Sequence, residues 1–144
     1  QSENGFARRI ISAKRLDDNI TIATAPSSAM PGIVSLADAG LFFIKPSFSK
    51  LASSPIKLGE FLACGVPVVI NSGVGDTEEM VNSYRVGVAV NDFNISSYRA
   101  SVQELLVLLK EKEALRRRCR LLAESALSLA QGVDKYCAIY NSLN

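Results

Sequence analysis

One stretch of the chain gathers residue types suited to binding an anion: Ser53-Ser54-Pro55-Ile56-Lys57-Leu58-Gly59-Glu60. Ser54 is a good N-cap and Pro55 a good first helical residue, so the spacing predicts that a helix starts here. Lys57 then falls in the first turn, where unpaired backbone amides already present partial positive charge. A cation at that place is disfavoured by about 0.3–1 kcal/mol. The placement makes sense if an anion binds, because amides, helix dipole and ammonium then act together, and phosphate is the natural candidate. The plain alternative is a solvated Lys57 paired with Glu60 at i,i+3, and the local pattern leaves both open. Glu60 lies one turn further in, beside Phe61 and Leu62. A carboxylate there can accept two hydroxyl hydrogen bonds, as from a ribose diol, or be a surface group favoured by the dipole.

Composition removes several other chemistries. The chain has 144 residues and no histidine, so any site needing a His base or His metal ligand is excluded within it. Chemistry must run through carboxylates, lysines, hydroxyls or backbone amides. Cys64, Cys119 and Cys137 show neither a pairing pattern nor a metal-ligand spacing, which suits a reducing cytoplasm; no metal and no cofactor is called for. The net charge of +2 gives no global field for nucleic acid, so no nucleic-acid partner is expected. Apolar runs such as Leu41 to Ile44 and Leu105 to Leu109 are too short to span a bilayer. No charged-then-apolar leader opens the chain, and a cytoplasmic location is expected. Arg116-Arg117-Arg118-Cys119-Arg120, with Lys110 and Lys112, is locally basic but diluted by Glu111 and Glu113. It reads as a solvated helix face, with peripheral contact to anionic lipid as the functional alternative.

The elements that must position the Ser53–Glu60 stretch can be read from punctuation and periodicity. Residues 1–5 read as a disordered or added end. Phe6 to Leu16 carries helical spacing, broken by Asp17, Asp18 and Asn19. Ile20 to Ala25 (ITIATA) is predicted as a buried strand, Pro31 to Ala37 as a short helix, and Leu41 to Ile44 as a second strand. A polar loop, Lys45 to Ser53, leads to a helix over Pro55 to Cys64 that Gly65 stops. Val66 to Asn71 is a third strand, with Pro67 tolerated near its start. The turn Ser72-Gly73-Val74-Gly75 precedes a helix from Thr77 to Tyr84, whose start has capping-box spacing in Asp76 and Glu79. Arg85 to Val90 is a weaker fourth strand, and residues 96–144 form a helical C-terminal segment with breaks expected near Glu111 and at Gly132. Strands without polar alternation, alternating with helices, imply a parallel sheet covered on both faces. Ligands of such sheets lie at the carboxyl ends of the strands, here Ala25-Pro26, Lys45 to Ser54 and Ser72 to Asp76. Gly73-Val74-Gly75 lacks the third glycine of a dinucleotide fingerprint, since Glu78 stands there.

The string KLASSPIKLGEFLACGVPVVINSGVGDTEEMV, residues 50 to 81, resembles the donor-binding region of GT-B-fold glycosyltransferases of the large retaining group, the family-four-like enzymes. In that family a Glu-x7-Glu motif leads into Ala-x-Gly-x-Pro-Val-Val, a glycine-containing turn and an acidic helix start. Glu60 matches the second Glu, and Ala63-Cys64-Gly65-Val66-Pro67-Val68-Val69 matches the Ala-x-Gly-x-Pro-Val-Val segment. Ala37-Asp38, the strand Leu41 to Ile44, and Tyr136 and Tyr140 in the closing helices fit as well. The resemblance covers nearly the whole chain. It implies an α/β fold: a doubly wound parallel sheet, the Rossmann-like half of a GT-B fold, incomplete and with C-terminal helices. It implies that residues 1–144 are part of a nucleotide-sugar-binding domain acting in carbohydrate biosynthesis. Glu60 would bind the ribose, Ser53, Ser54, Pro55, Ile56 and Lys57 would face the diphosphate or donor sugar, and Ala25 and Pro26 would lie against the base. Lys57 and Glu60 are the expected catalytic pair.

Two departures qualify this. The first Glu of the motif falls on Ala52, so the residue expected to handle the donor sugar is absent, and Lys57 is expected to take over some anion contact. The family's donor domain also opens with two strands and a basic phosphate clamp that this chain lacks, and its acceptor domain is separate. In the order 3-2-1-4-5-6 those strands lie between Ile20–Ala25 and Leu41–Ile44, so self-association through exposed sheet edges is expected. The implied function is donor binding in a glycosyltransferase using a nucleotide-diphosphate sugar, the acceptor being held by a missing N-terminal domain and this chain alone being inactive. The alternatives are a non-catalytic nucleotide- or phosphate-binding module, and a nucleotide-sugar epimerase of the same fold. The epimerase likeness would require a site histidine.

Overall fold

The computed structural model describes residues 3–143, and the chain divides into two compact units, Gln1–Met30 and Pro31–Asn144. The first unit is built on helix α1 (Glu3–Ala13), so the helix begins inside the stretch expected to be a disordered or added end. It ends where Arg15 turns left-handed at φ 55° and Leu16 N–H closes on the Ile11 carbonyl at 3.0 Å. Ile20 to Ala25 is not a strand. The segment is irregular: among the described residues no ladder includes it, and Ile20 is exposed. A β pattern makes a strand only when a neighbour accepts its backbone hydrogen bonds.

The second unit carries the sheet. A short helix α2 (Met30–Val34) straddles the boundary between units and leads to β1 (Gly40–Leu41), which then alternates with helices in β1, α3 (Ile56–Ala63), β2 (Val68–Asn71), α4 (Thr77–Tyr84), β3 (Gly87–Val90). The three strands are parallel in the order β1-β2-β3, with Gly40 opposite Val68 and Val68 opposite Gly87. Central β2 is buried along its whole length, as its unbroken Val-Val-Ile run requires. The ladder of β1 is shorter than the expected Leu41–Ile44. Beyond Leu41 it continues only through the bond from Phe42 N–H to the Val69 carbonyl, because Ile44 N–H turns to a side chain instead. Helices α5 (Ile95–Leu109), α6 (Glu113–Ala126) and α7 (Leu129–Ser142) complete the unit.

The core joins Leu58 and Leu62 of α3, Val68 and Ile70 of β2, Val81 of α4, Val88 of β3, and Leu115, Cys119 and Leu122 of α6. Arg118 of α6 donates to the Arg85 carbonyl and pairs with Glu111, which also pairs with Arg85, so the end of α4 is tied to the α5–α6 turn. The break expected at Gly132 falls instead at Leu127–Ser128. Ser128 caps α7 by accepting from Gln131 N–H, and Gly132 lies within the helix. No residue of α7 is buried, and Leu129, Val133, Tyr136, Tyr140 and Leu143 leave an apolar stripe uncovered at 4-3 spacing. This is the expected α/β, doubly wound arrangement with an incomplete sheet and closing helices.

Candidate functional site

The carboxyl ends of β1 and β2, and the loops after them, are bound into one rim. Buried Asn71, last in β2, accepts from Ile44 N–H through Oδ1 at 2.7 Å and donates from Nδ2 to the Ser72 carbonyl at 2.9 Å. Ser72 reaches the other way: its amide and hydroxyl both donate to the Val90 carbonyl at the end of β3. One amide side chain and one serine therefore lock the exits of all three strands. An Asn closing the run Val68-Val69-Ile70 is a visible signal, since a buried amide needs partners, yet strand periodicity alone does not single it out.

The turn after β2 then seats the loop before α3. Gly75 N–H donates to the Lys50 carbonyl at 3.1 Å, and a Cβ on Gly75, whose φ is +50°, would collide with the Ser53 carbonyl oxygen. Only glycine meets both demands. Ser53 is half-buried, its amide closing on the Lys50 carbonyl and its hydroxyl on the Ser49 carbonyl. The segment Phe48–Ala52, expected as open loop, is a 3-10 turn, and Ala52 is exposed on it.

Helix α3 starts one residue later than its sequence suggests. Pro55 is the N-cap, with φ −69° and ψ 122°, and makes no side-chain cap bond; Ser54 lies outside, exposed. Proline fixes the entry angle yet has no side-chain acceptor for the first-turn amides; Leu58 N–H closes on the Pro55 carbonyl at 3.0 Å, which leaves the Ile56 and Lys57 amides without a cap. Lys57 is the second helical residue and Glu60 comes a turn later, both exposed. Among the described residues Lys57 forms no ion pair with Glu60 or any other carboxylate. The expected capping box at α4 does not form either: Asp76 sits at φ −94°, ψ 7° with no side-chain bond, and Thr77 Oγ1 donates to the Val74 carbonyl instead.

Of the residues singled out in the sequence, Ser53, Ser54, Pro55, Ile56, Lys57 and Glu60 lie together on this loop and helix start. Ala25 and Pro26 belong to the first unit, where Pro26 is extended ahead of a 3-10 turn, Ser27–Ala29. A cavity of about 380 Å3 between α4, β3 and α5 is lined by Glu78, Asn82, Arg85 and Glu104 among others, none of them a residue expected to bind ligand. Among the described residues no cluster of three or more carboxylates and thiols could hold a metal ion, and no helix is long and apolar enough to cross a membrane.

No protein-family model matches the chain, and no curated protein matches it. Among solved structures it is similar to sucrose-phosphate synthase from Thermosynechococcus elongatus, with a TM-score of 0.72 at 17% sequence identity. The match covers 99% of this chain and 35% of that one, so the chain spans about a third of the synthase. At that identity the likeness is one of fold. The three-stranded parallel sheet, its crossover helices and its closing helices form an open α/β fold consistent with a partial Rossmann-like half of a GT-B fold.

Proposed function

We propose that the chain is the donor-binding part of a glycosyltransferase that uses a nucleotide-diphosphate sugar. The observation that carries this is the start of α3: an uncapped first turn, a Lys57 within it that has no ion pair among the described residues, and a glycine turn packed against Ser53 at the carboxyl rim of the sheet. Free amides and a free ammonium gathered in one turn are an anion site, and a diphosphate is the anion this fold family handles. The similarity of fold to a glycosyltransferase supports the same reading. Glu60, one turn deeper and without an ion pair among the described residues, is the acceptor for the ribose hydroxyls.

In the reaction the bond between the sugar anomeric carbon and the diphosphate oxygen breaks, an acceptor hydroxyl oxygen bonds to that carbon, and the hydroxyl proton passes to the departing diphosphate or to solvent. Negative charge grows on the departing diphosphate. In this reading the first-turn amides of α3 and the Lys57 ammonium stabilise that charge, and their contribution is electrostatic. The acceptor is held by a further domain, and the uncovered stripe on α7 is a surface such a domain would need. Self-association through the free edge of β1, and peripheral contact of the basic α6 with anionic lipid, are secondary proposals for partners.

The test is a ligand-observed NMR titration of UDP, GDP and ADP against the chain, Lys57→Ala and Glu60→Ala. Binding of one diphosphate, weakened by both changes, is expected. Absence of binding to the folded chain, or binding indifferent to Lys57, would overturn the assignment. Retention of binding with no transfer in the full-length protein would select the non-catalytic module instead. The epimerase alternative has no observation in its favour.

A further inference from the structure

Three aromatic rings gather on the same rim. Phe42 and Phe43 alternate across the end of β1: Phe42 stacks on Phe61 of α3, with ring centroids 6.1 Å apart and planes at 17°, so Phe43 faces the opposite side of the sheet. There it meets Phe93 edge-to-face at 5.8 Å and Tyr98 at 6.1 Å with a 31° tilt. Phe93 immediately precedes Asn94, the N-cap of α5, and Tyr98 is the fourth residue inside that helix, the two positions of a hydrophobic staple. A staple explains why aromatic residues stand at these places. It does not explain their exposure: Phe43 is 39% exposed, Phe93 52% and Tyr98 36%, at the end of the sheet where ligands of this fold lie.

We propose that Phe43, Phe93 and Tyr98 form a stacking platform for the pyranose ring of the donor sugar. The inference rests on the nucleotide-sugar reading given above and adds which residues meet the sugar. The C–H bonds on one face of a pyranose carry slight positive charge, and the face of an aromatic ring carries slight negative charge, so the two attract while excluding water. A sugar also needs hydroxyl partners at the edge of such a platform. Asn91 and Asp92 stand immediately before Phe93, both exposed and without a side-chain bond among the described residues. An amide and a carboxylate interleaved with aromatic rings suit a polyhydroxylated ring better than a nucleobase. The connection to the anion site is short: Ile44, next to Phe43, is bonded to Asn71, and the turn after Asn71 seats Ser53. The platform and α3 thus flank the exit of β2.

The experiment compares UDP with UDP-glucose, and GDP with GDP-mannose, by NMR titration against the chain, Phe93→Ala, Phe93→Tyr and Tyr98→Ala. Folding of each variant is checked from its amide spectrum. The nucleotide sugar is expected to bind more tightly than its bare nucleotide by about tenfold, the range of one good aromatic contact. Phe93→Ala and Tyr98→Ala should remove most of that difference and leave the affinity for the bare nucleotide unchanged, while Phe93→Tyr keeps it. Nucleotide binding with no sugar-dependent gain, or a gain untouched in both alanine variants, would overturn the platform and leave the nucleotide reading standing. Failure of every nucleotide to bind would overturn both.

Discussion

Asn71 is the residue whose loss has the most direct consequence for the rim. It is 3% exposed, and its side chain makes two hydrogen bonds, from Ile44 N–H at 2.7 Å and to the Ser72 carbonyl at 2.9 Å. Asn71→Ala removes both and leaves the Ile44 amide without a partner in a part-buried position. An orphaned buried donor costs about 1–3 kcal/mol, and the Ser72 carbonyl, half-buried, loses less because water can reach it. The expected destabilisation is therefore about 2–3 kcal/mol. With a urea dependence of about 2 kcal/mol per molar, the unfolding midpoint should fall by roughly 1–1.5 M. Asn71→Asp discriminates further. It keeps an acceptor for Ile44 but sets a carboxylate oxygen against the Ser72 carbonyl, so at neutral pH it should be at least as destabilised as Asn71→Ala. Urea unfolding followed by far-UV circular dichroism measures both. A midpoint shift below about 0.3 M for Asn71→Ala, or a stable Asn71→Asp, would refute the claim that this amide locks the strand exits.

Three further outcomes come from the same geometry. Lys57→Ala should weaken nucleoside diphosphate binding about tenfold while leaving stability unchanged or raising it by a few tenths of a kcal/mol, because it removes a cation from a helix start; titration and urea unfolding on one sample test the opposition of signs. Gly75→Ala forces a left-handed alanine against the Ser53 carbonyl, so it should cost about 1–2 kcal/mol and weaken ligand binding beyond that of a core variant of equal stability. Burial pushes the Cys119 thiol up to about 11 from 9.0, against the opposing pull of Arg118. A raised thiol stabilises the fold below the unfolded value and loses that stability as pH rises through the folded one, so wild type should lose roughly 2–3 kcal/mol relative to Cys119→Ala between about pH 9 and pH 11. Unfolding free energies of the pair that run parallel across that window would refute it.

Where the sequence was legible, one local force was decisive. Thr77 to Tyr84 has helical spacing and a left-handed end at Arg85, and the helix occupies those bounds. Gly65, at φ +74°, closes α3 where a residue with a Cβ would be strained. The Val68-Val69-Ile70 run could only be a strand buried on both faces. Legibility failed where the answer depended on partners distant in sequence. Ile20 to Ala25 has strand composition, but composition says nothing about whether a neighbour is present to complete its ladder. Asp76 and Glu79 have cap spacing, yet the turn from Gly73 to Gly75 leaves Asp76 outside extended geometry, and Thr77 makes the local bond instead. The aromatic rim was invisible for the same reason. Phe43 and Phe93 lie far apart in the chain, and only the parallel order of β1, β2 and β3 brings their loops to one end.

The two halves of the rim bear differently on whether the chain belongs to an enzyme or a binding module. The anion site proposed from α3 amides and Lys57 would hold a diphosphate equally well before and after sugar transfer, so it cannot separate the two. A contact to the sugar can. The resemblance expects a carboxylate for the donor sugar at position 52, and Ala52, exposed on its 3-10 turn, has no group to offer. If the sugar is recognised at all, other residues must do it, and the rim provides Asn91, Asp92 and the rings of Phe43, Phe93 and Tyr98. A module that needs only the nucleotide has no use for exposed aromatic rings beside a polar turn, since burying them would be more stable. Asp92→Asn therefore separates a site for the nucleotide sugar from a site for the nucleotide alone, while transfer itself is read in the full-length protein. At a donor-sugar site it should weaken the nucleotide sugar and spare the bare nucleotide, and equal affinities for both ligands in wild type and variant would leave only a nucleotide-binding module.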